Sequence, residues 1–191
     1  MMLSEKLKEQ TRREHQMLEV KMIKQIKLIT DINKYSEFLL LFYRFMNPLE
    51  TQIDKQLDPG FLSDYKLRRK SVLLVQDLSR LQSSAEIFSY DEVIFITNNL
   101  EAIGALYVME GSTLGGQIIS KMINHQLGLE KIIPLDFFNG YKNDTILMWQ
   151  NFKIAMDQLK LNEREENIII RSANNTFKRF SNLFDQKIML A

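Results

Sequence analysis

The chain of 191 residues is 45% hydrophobic and 26% charged, as expected for a globular protein with a sizeable core. Its 25 basic and 24 acidic residues leave a net charge of +1, so overall charge gives no reason to expect nucleic acid or an anionic membrane as a partner. The absence of cysteine excludes disulfides, thiolate metal sites and cysteine nucleophiles.

The N-terminal segment does not have the features of a targeting sequence. Residues 1–15 are charged and have no apolar core, and they are neither acid-poor nor rich in serine. No apolar run approaches the roughly 20 residues that a membrane-spanning helix needs. We therefore expect a soluble, cytoplasmic protein.

Long helices are predicted for the first third of the chain, because only 7 glycines and 3 prolines interrupt the whole sequence. Ser4 can cap a first helix that runs to about Lys27. A second helix is predicted from Lys34 to about Leu57, where phenylalanines and leucines recur at helical spacing. Pro48 predicts a kink in it, and the Asp-Pro-Gly at 58–60 ends it.

The rest of the chain is also predicted to be helical. Further helices are expected over 64–82, 91–127, 144–159 and 163–189, with a looser stretch to Tyr90 after the first, Gly128 closing the second and a loop over 134–143. Residues 93–96 favour a strand by propensity, but without a partner strand we interpret them as buried helix. The predicted fold class is all-α, a single-domain helical bundle over residues 1–191, and we expect a monomer.

The first candidate site is a face of the N-terminal helix. Lys8, Arg12, His15 and Glu19 are separated by four, three and four residues, which places them on one face. Lys8 lies roughly 10 Å from His15 along the axis, comparable with the distance from a heme iron to its propionates. One helix could thus supply an iron ligand, cations for two carboxylates, and a hydrogen-bond acceptor in Glu19. The same spacing is also typical of a solvated face with weak ion pairs.

The second candidate site is a row of small residues in the long apolar helix. Gly104, Val108, Gly111 and Gly115 fall on one face, although glycine inside a helix costs about 1 kcal/mol relative to alanine. A face without side chains lets a flat ligand approach the backbone closely. Close helix–helix packing and a helix C-cap use glycine similarly, so both alternatives stay open. A phosphate-binding loop is less favoured, because the Gly-Lys-Ser/Thr ending is missing.

These two segments together resemble the heme oxygenase family, especially its bacterial branch. Residues 7–15, Leu-Lys-Glu-Gln-Thr-Arg-Arg-Glu-His, are similar to the family's proximal-helix pattern. Residues 105–117, Ala-Leu-Tyr-Val-Met-Glu-Gly-Ser-Thr-Leu-Gly-Gly-Gln, are similar to its distal-helix pattern. Residues 137–141 and the helix with Trp149 and Phe152 are similar more loosely, so the resemblance covers nearly the whole chain.

The resemblance implies a helical bundle that holds heme between a proximal N-terminal helix and a glycine-kinked distal helix. It implies oxidative cleavage of heme to biliverdin with release of iron and carbon monoxide. Heme would be substrate and cofactor, O2 the oxidant, and a ferredoxin or flavodoxin with its reductase the electron donor. It further implies His15 as the iron ligand, catalytic roles for Gly111, Ser112 and Gly115, and heme contacts for Lys8, Arg12, Glu19, Tyr107, Val108, Gly111, Gly115 and Lys153.

The sequence departs from the family pattern at one position. Many members have an aspartate directly after the first distal glycine, where it orders the water that protonates bound oxygen, whereas this chain has Ser112. A hydroxyl can bind water but is not a charged acceptor. A heme-binding protein without turnover is therefore the alternative. A thiaminase-like enzyme of the same fold would need a cysteine that is absent, and a plain helical interaction module would bind no heme. His125, four turns beyond Gly111, is interpreted as structural or exposed.

Overall fold

The computed structural model describes residues 1–82, 95–128 and 133–185, and within these ranges the chain forms helices, turns and loops but no strand. The α-helices are α1 (Leu3–Gln10), α2 (Arg12–Ile26), α3 (Ile32–Gln56), α4 (Val72–Arg80), α5 (Asn99–Leu127), α6 (Thr145–Asp157) and α7 (Glu163–Leu183). Two short 3-10 turns lie at Tyr65–Leu67 and Lys142–Asp144. The predicted all-α architecture is confirmed.

Helix α5 is the central element of the bundle. It packs against α3, α6 and α7, and every residue from Ala102 to Glu110 is buried. Its approach to α7 is so close that a Cβ on Gly104 would overlap the carbonyl oxygen of Ile169. Phe45 of α3 stacks on Phe180 of α7 with ring centroids 4.2 Å apart, which extends the same apolar core.

The predicted first helix, from Ser4 to Lys27, is wrong in two respects. It is divided at Thr11, whose buried hydroxyl donates to the carbonyl oxygen of Leu7 at 2.7 Å. A hydroxyl that bonds back to the preceding turn competes with regular helical geometry and bends the helix. In addition, the helix begins two residues earlier than predicted, with Met2 at the N-cap position. Ser4 lies inside the first turn and contacts Asp157 instead.

The predicted helix over 64–82 is also wrong, because it is interrupted between Leu67 and Val72. Arg68 has an extended conformation, with φ −70° and ψ 149°. The side chains of Arg68 and Arg69 are buried and reach acceptors on α5. The burial of two guanidinium groups against specific acceptors therefore overrides the local helical preference.

Helix α5 begins later than predicted. The side chain of Asn98 accepts a hydrogen bond from the backbone N–H of Glu101 and caps the helix there. Residues 95–97 precede this cap and are not helical, and Phe95 is 76% exposed. The interpretation of 93–96 as buried helix is therefore wrong for 95 and 96. The remainder, with the predicted start at 91 and the looser stretch from 83 to 90, lies outside the described residues.

Other predicted boundaries agree closely with the structure. Helix α3 begins after Asp31, whose side chain caps it, continues through Pro48 and ends before the Asp-Pro-Gly at 58–60. Gly128 ends α5 with φ +71°, a value that favours glycine. Helices α6 and α7 start within one residue of their predicted positions and end at Asp157 and Leu183. The predicted end near 189 lies outside the described residues.

The segment 133–141, which follows α5 in the chain, is not helical and contacts both α4 and α5. Asp77 of α4 is fully buried and accepts the backbone N–H groups of Asp136 and Phe137 at 3.2 and 3.0 Å. From this anchor the segment runs so close to α5 that a Cβ on Gly116 would overlap the carbonyl oxygen of Phe138. Ser120 then donates to the side-chain oxygen of Asn139 at 3.1 Å. These contacts hold one side of α5 in place.

Candidate functional site

His15 lies on α2 with its imidazole half exposed. Its side chain is 51% exposed, and its ring meets Phe177 of α7 edge-on with centroids 5.3 Å apart. Nε2 lies 3.6 Å from Oε1 of Glu19, which is longer than a hydrogen bond. Leu18 and Ile26, rather than His15, attach α2 to the core. The imidazole is therefore supported on one side and accessible to a ligand on the other.

The glycines of α5 divide into two groups with different surroundings. A Cβ on Gly104 would overlap α7, and one on Gly116 would overlap the segment 133–141. By contrast, a Cβ on Gly115 would meet nothing within 4 Å, and one on Gly111 would only touch the ring of Trp149 at 3.7 Å. Helix packing thus accounts for Gly104 and Gly116 and leaves Gly111 and Gly115 unexplained. These two positions leave the room beside the helix that a flat ligand needs.

The candidate residues Tyr107 and Val108 lie inside the bundle rather than on this open surface. Val108 is buried, and the mostly buried Tyr107 lies near Thr11, at the junction of α1 and α2; burial raises the pKa of Tyr107 and the nearby Thr11 opposes that shift. The Tyr107 ring also packs on Trp149 of α6, with centroids 5.5 Å apart. The distal helix is thereby joined to the start of the proximal one, next to Arg12.

The candidate cations Lys8 and Lys153 lie at the same height along two neighbouring helices, α1 and α6. Helix α1 runs antiparallel to α6, since Ser4 bonds Asp157 at one end, while Thr11 is linked through Tyr107 to Trp149 at the other. Lys8 lies one turn after Ser4, and Lys153 lies one turn before Asp157. Lys8 is exposed and Lys153 is half-buried. Neither lysine, nor the exposed Arg12, has an ion pair or side-chain hydrogen bond with any other described residue.

The Ser112 hydroxyl is already engaged in two hydrogen bonds. It donates to the carbonyl oxygen of Met109 at 2.7 Å and accepts from the Arg69 guanidinium at 2.6 Å. Arg69 also donates to Met109 at 2.9 Å, and it stacks on Phe137 at 4.1 Å from the ring centroid. Since the only hydroxyl proton is in use, a water beside Ser112 has to donate to it rather than accept from it.

A buried ionic network next to Arg69 and Ser112 holds the backbone of Arg69 in place. Arg68 donates to Glu110 at 2.6 Å, and Asp64 accepts three further hydrogen bonds from the same guanidinium. The Tyr141 hydroxyl donates to Glu110 at 3.0 Å and accepts the backbone N–H of Arg69 at 2.7 Å. Burial, with a further contribution from Glu110, raises the pKa of Tyr141. Burial lowers the pKa of Arg69, although the Glu110 carboxylate opposes that shift.

The sequence analysis did not identify Arg68, Arg69, Glu110 or Phe177 as parts of the site. One signal was available, because Glu110 follows eight consecutive residues that are now seen to be buried. A carboxylate in such surroundings needs a buried partner. Nothing local in the sequence indicates that this partner is Arg68, 42 positions earlier.

Several other surfaces do not belong to this site. His125 is exposed near the end of α5, as predicted. In the described ranges there is no cluster of three or more His, Cys, Asp or Glu side chains that could hold a metal ion, and no helix is long and apolar enough to cross a membrane. A groove of about 520 Å³ follows Glu163, Arg164, Asn167, Ile168 and Arg171 along the first turns of α7. It lies more than one helical turn from Phe177, the residue of α7 that touches His15.

The arrangement fits a flat ligand that carries a metal ion and carboxylates. Helices α2 and α5 pack against each other, so an accessible imidazole and an open stretch of glycine backbone lie on neighbouring helices. Unpaired cations on α1, α2 and α6 lie next to the point where Tyr107 joins α5 to α1. Heme has these features, and the residues present fit it.

Comparison with known proteins agrees with this chemistry. The family described as heme oxygenase matches residues 1–186. Heme oxygenase PigA of Pseudomonas aeruginosa is 25% identical over 187 residues, which cover 96% of this chain and 91% of PigA. Heme oxygenase of Leptospira interrogans superposes with a TM-score of 0.77 at 21% identity, covering 96% of this chain and 98% of its own. Heme oxygenase-1 of the cyanobacterium Synechocystis, solved with heme, gives 0.77 at 22% identity and covers 97% and 91%.

Proposed function

The chain belongs to the heme oxygenase family, and from that membership we propose that it binds heme and cleaves it oxidatively to biliverdin, with release of iron and carbon monoxide. The observation that carries the proposal is the pairing of an accessible His15 on α2 with the open glycines 111 and 115 on α5. When bound, heme supplies both the iron at which O2 reacts and the ring that is opened. Electrons come from an external donor, of the ferredoxin or flavodoxin type with its reductase.

On this proposal, the proximal residues bind and orient the heme. His15 would ligate the iron, and Glu19, whose Oε1 lies 3.6 Å from Nε2, is an acceptor that a small side-chain movement would bring within hydrogen-bond distance of the imidazole. Lys8, Arg12 and Lys153 would bind the two propionates, since none of them has an ion pair with another described residue and they lie on neighbouring helices close to the junction of α1 and α2. Gly111 and Gly115 let the distal backbone approach the ring, with Tyr107 and Val108 forming the wall behind them.

On the distal side, Ser112 and Arg69 replace the aspartate of other members. Arg69 holds the Ser112 oxygen so that its free lone pair accepts a hydrogen from a pocket water. The second hydrogen of that water would then remain free to bond an acceptor in the pocket. The buried Arg68–Glu110 pair and Tyr141 keep Arg69 in position, so the serine acts as an oriented acceptor without carrying a charge.

Replacement of Arg69 by leucine is expected to change the ionisation of the heme site as well as stability. Loss of a buried cation disfavours anionic iron ligands, so the acid–alkaline spectral transition of the ferric complex is expected to rise by about one pH unit. The unfolding free energy is expected to fall by about 1–3 kcal/mol, because the acceptors on Met109 and Ser112 lose their donor. Optical pH titration measures the first effect and chemical denaturation the second.

The exposed Arg164 provides the matched control for this change. Arg164→Leu removes the same charge from the surface of α7 and is expected to leave the spectral transition where it is in the wild type. An Arg69→Leu protein that binds heme with an unshifted transition would show that the guanidinium does not act on the distal side.

A second candidate function is heme binding without turnover. It is favoured by one observation, the engagement of the Ser112 hydroxyl proton with the carbonyl oxygen of Met109, which prevents the serine from donating to a ligand in the pocket. A protein of this kind would store, carry or sense heme with the same proximal residues.

Optical titration with hemin, followed by reduction in air, separates these functions. The enzyme is expected to give a stoichiometric Soret band that is replaced by biliverdin absorption after ascorbate or ferredoxin with its reductase is added. A Soret band that persists under reduction in air would establish a binder without turnover. The absence of a Soret band would refute both functions.

A further inference from the structure

One carboxylate ties the beginning of α1 to the end of α6. Asp157 Oδ1 accepts the backbone N–H of Ser4 at 2.8 Å, and Oδ2 accepts the Ser4 hydroxyl at 2.7 Å. The first N–H groups of a helix need acceptors, and the N-cap residue of α1, Met2, supplies no side-chain oxygen. Asp157 therefore caps α1 from a distant part of the chain.

This cap determines the register of α1 against α6. Lys8 is four residues after Ser4, and Lys153 is four residues before Asp157, so each lysine lies about 6 Å from the cap along its own helix. The helices are antiparallel, and the two lysines therefore occupy the same level. A slip of α1 along α6 would change the separation of the two ammonium groups directly.

The lysines do not stabilise this register themselves. Two unpaired ammonium groups at one level repel each other, and nothing described on α1 or α6 neutralises them. The other polar contacts of α1 with the bundle are the ion pair between Lys6 and Glu166 at 2.5 Å and the hydrogen bond from Asn174 to the carbonyl oxygen of Gln10 at 3.3 Å, and both hold the helix to α7 rather than to α6. Asp157 is thus the polar group that keeps α1 beside α6 against this repulsion.

We propose that Asp157 is a positioning residue for carboxylate recognition: through its bonds to Ser4 it sets the separation of Lys8 and Lys153 at which the ligand's carboxylates bind. This inference rests on the proposed function, in which the ligand is heme and the carboxylates are its two propionates. Asp157 itself touches no part of the ligand and acts only through the placement of α1.

The test compares the affinities of hemin and hemin dimethyl ester, which lacks the carboxylate charges. The wild type is expected to bind hemin about tenfold or more tightly than the ester, as charge-assisted hydrogen bonds imply. Asp157→Ala is expected to reduce this ratio by about threefold to tenfold while the affinity for the ester changes little. Asp157→Asn is expected to retain most of the ratio, because its amide oxygen still accepts the Ser4 N–H.

Two further variants test whether the ratio depends on the position of α1 or on the negative charge of Asp157. Glu9→Ala removes an exposed carboxylate next to Lys8 that has no partner among the described residues, so it is expected to leave the ratio unchanged or to raise it. Ser4→Ala removes only the hydroxyl bond to Asp157, keeps the net charge, and is expected to lower the ratio by about twofold to threefold. Ser4→Ala also provides the test if Asp157→Ala does not fold.

The inference is overturned if Asp157→Ala leaves the hemin-to-ester ratio unchanged, or if Glu9→Ala lowers it equally. An equal loss of affinity for both ligands would show a general loss of structure and would also overturn it. Circular dichroism of the heme-free variants checks that the helices are intact. If the wild type binds hemin and produces biliverdin while the ratio is unaffected in Asp157→Ala, the proposed function stands and only this inference fails.

Discussion

Replacement of His15 by alanine is expected to reduce heme turnover by at least about a hundredfold, because a lost iron ligand costs more than the tenfold to hundredfold typical of a lost supporting contact. The proposed iron ligand is the half-exposed imidazole of α2, which Phe177 contacts on one side. Stopped-flow or steady-state absorbance of biliverdin measures the rate. The Soret position of the ferric complex is expected to shift, because the iron loses a nitrogen ligand.

The second histidine of the chain provides the matched control. His125 is exposed near the end of α5, and His125→Ala is expected to leave the spectrum and the rate unchanged. Added imidazole is expected to restore part of the spectrum of His15→Ala, since the space left by the side chain is open to solvent. A His15→Ala protein with wild-type spectrum and rate would exclude His15 as the iron ligand.

Adjacent glycines of α5 are expected to respond to alanine in opposite ways. Gly115→Ala is expected to raise the unfolding free energy of the heme-free protein by about 0.5–1 kcal/mol, because the new methyl group meets nothing and alanine favours the helix. Gly116→Ala is expected to lower it by about 2 kcal/mol or more, because the methyl group would overlap the carbonyl oxygen of Phe138. Denaturant unfolding of the heme-free variants measures both changes.

Hemin affinity is expected to distinguish Gly115 from Gly116 as well. Gly115→Leu fills the space proposed for the ring and is expected to weaken hemin binding by at least about tenfold, while the heme-free protein remains folded. The loss of function would thus accompany retained stability, which distinguishes a binding glycine from a packing glycine. Gly115→Leu with unchanged hemin affinity would exclude this side of α5 as the distal wall.

The sequence by itself determined the helical architecture and the family resemblance. The scarcity of glycine and proline, the apolar spacing in α3 and the left-handed Gly128 are all encoded within a few consecutive residues. The predicted helices 144–159 and 163–189 therefore begin where α6 and α7 begin, and the resemblance drawn from residues 7–15 and 105–117 is confirmed by the family match over 1–186.

Tertiary contacts determined the structure at the positions where local sequence patterns gave a wrong prediction. Thr11 bends the predicted first helix, because its buried hydroxyl bonds the carbonyl oxygen of Leu7. Residues 68–71 interrupt the predicted helix over 64–82, because the buried guanidinium groups of Arg68 and Arg69 bond acceptors on α5. Ser4 has the residue type of an N-cap, yet its own N–H and hydroxyl are bonded by Asp157, 153 residues later in the chain. Such partners are brought together by packing and leave no signal in the neighbouring sequence.

The glycines of α5 show most directly what the sequence alone does not determine. Their spacing identifies a face with little side-chain volume, and the sequence leaves close packing and ligand binding as equal explanations. The structure divides them, because Gly104 packs against the carbonyl oxygen of Ile169, Gly111 meets only the ring of Trp149, and Gly115 lies beside open space. Periodicity within a helix reports which residues share a face, but only the folded chain determines what lies opposite that face.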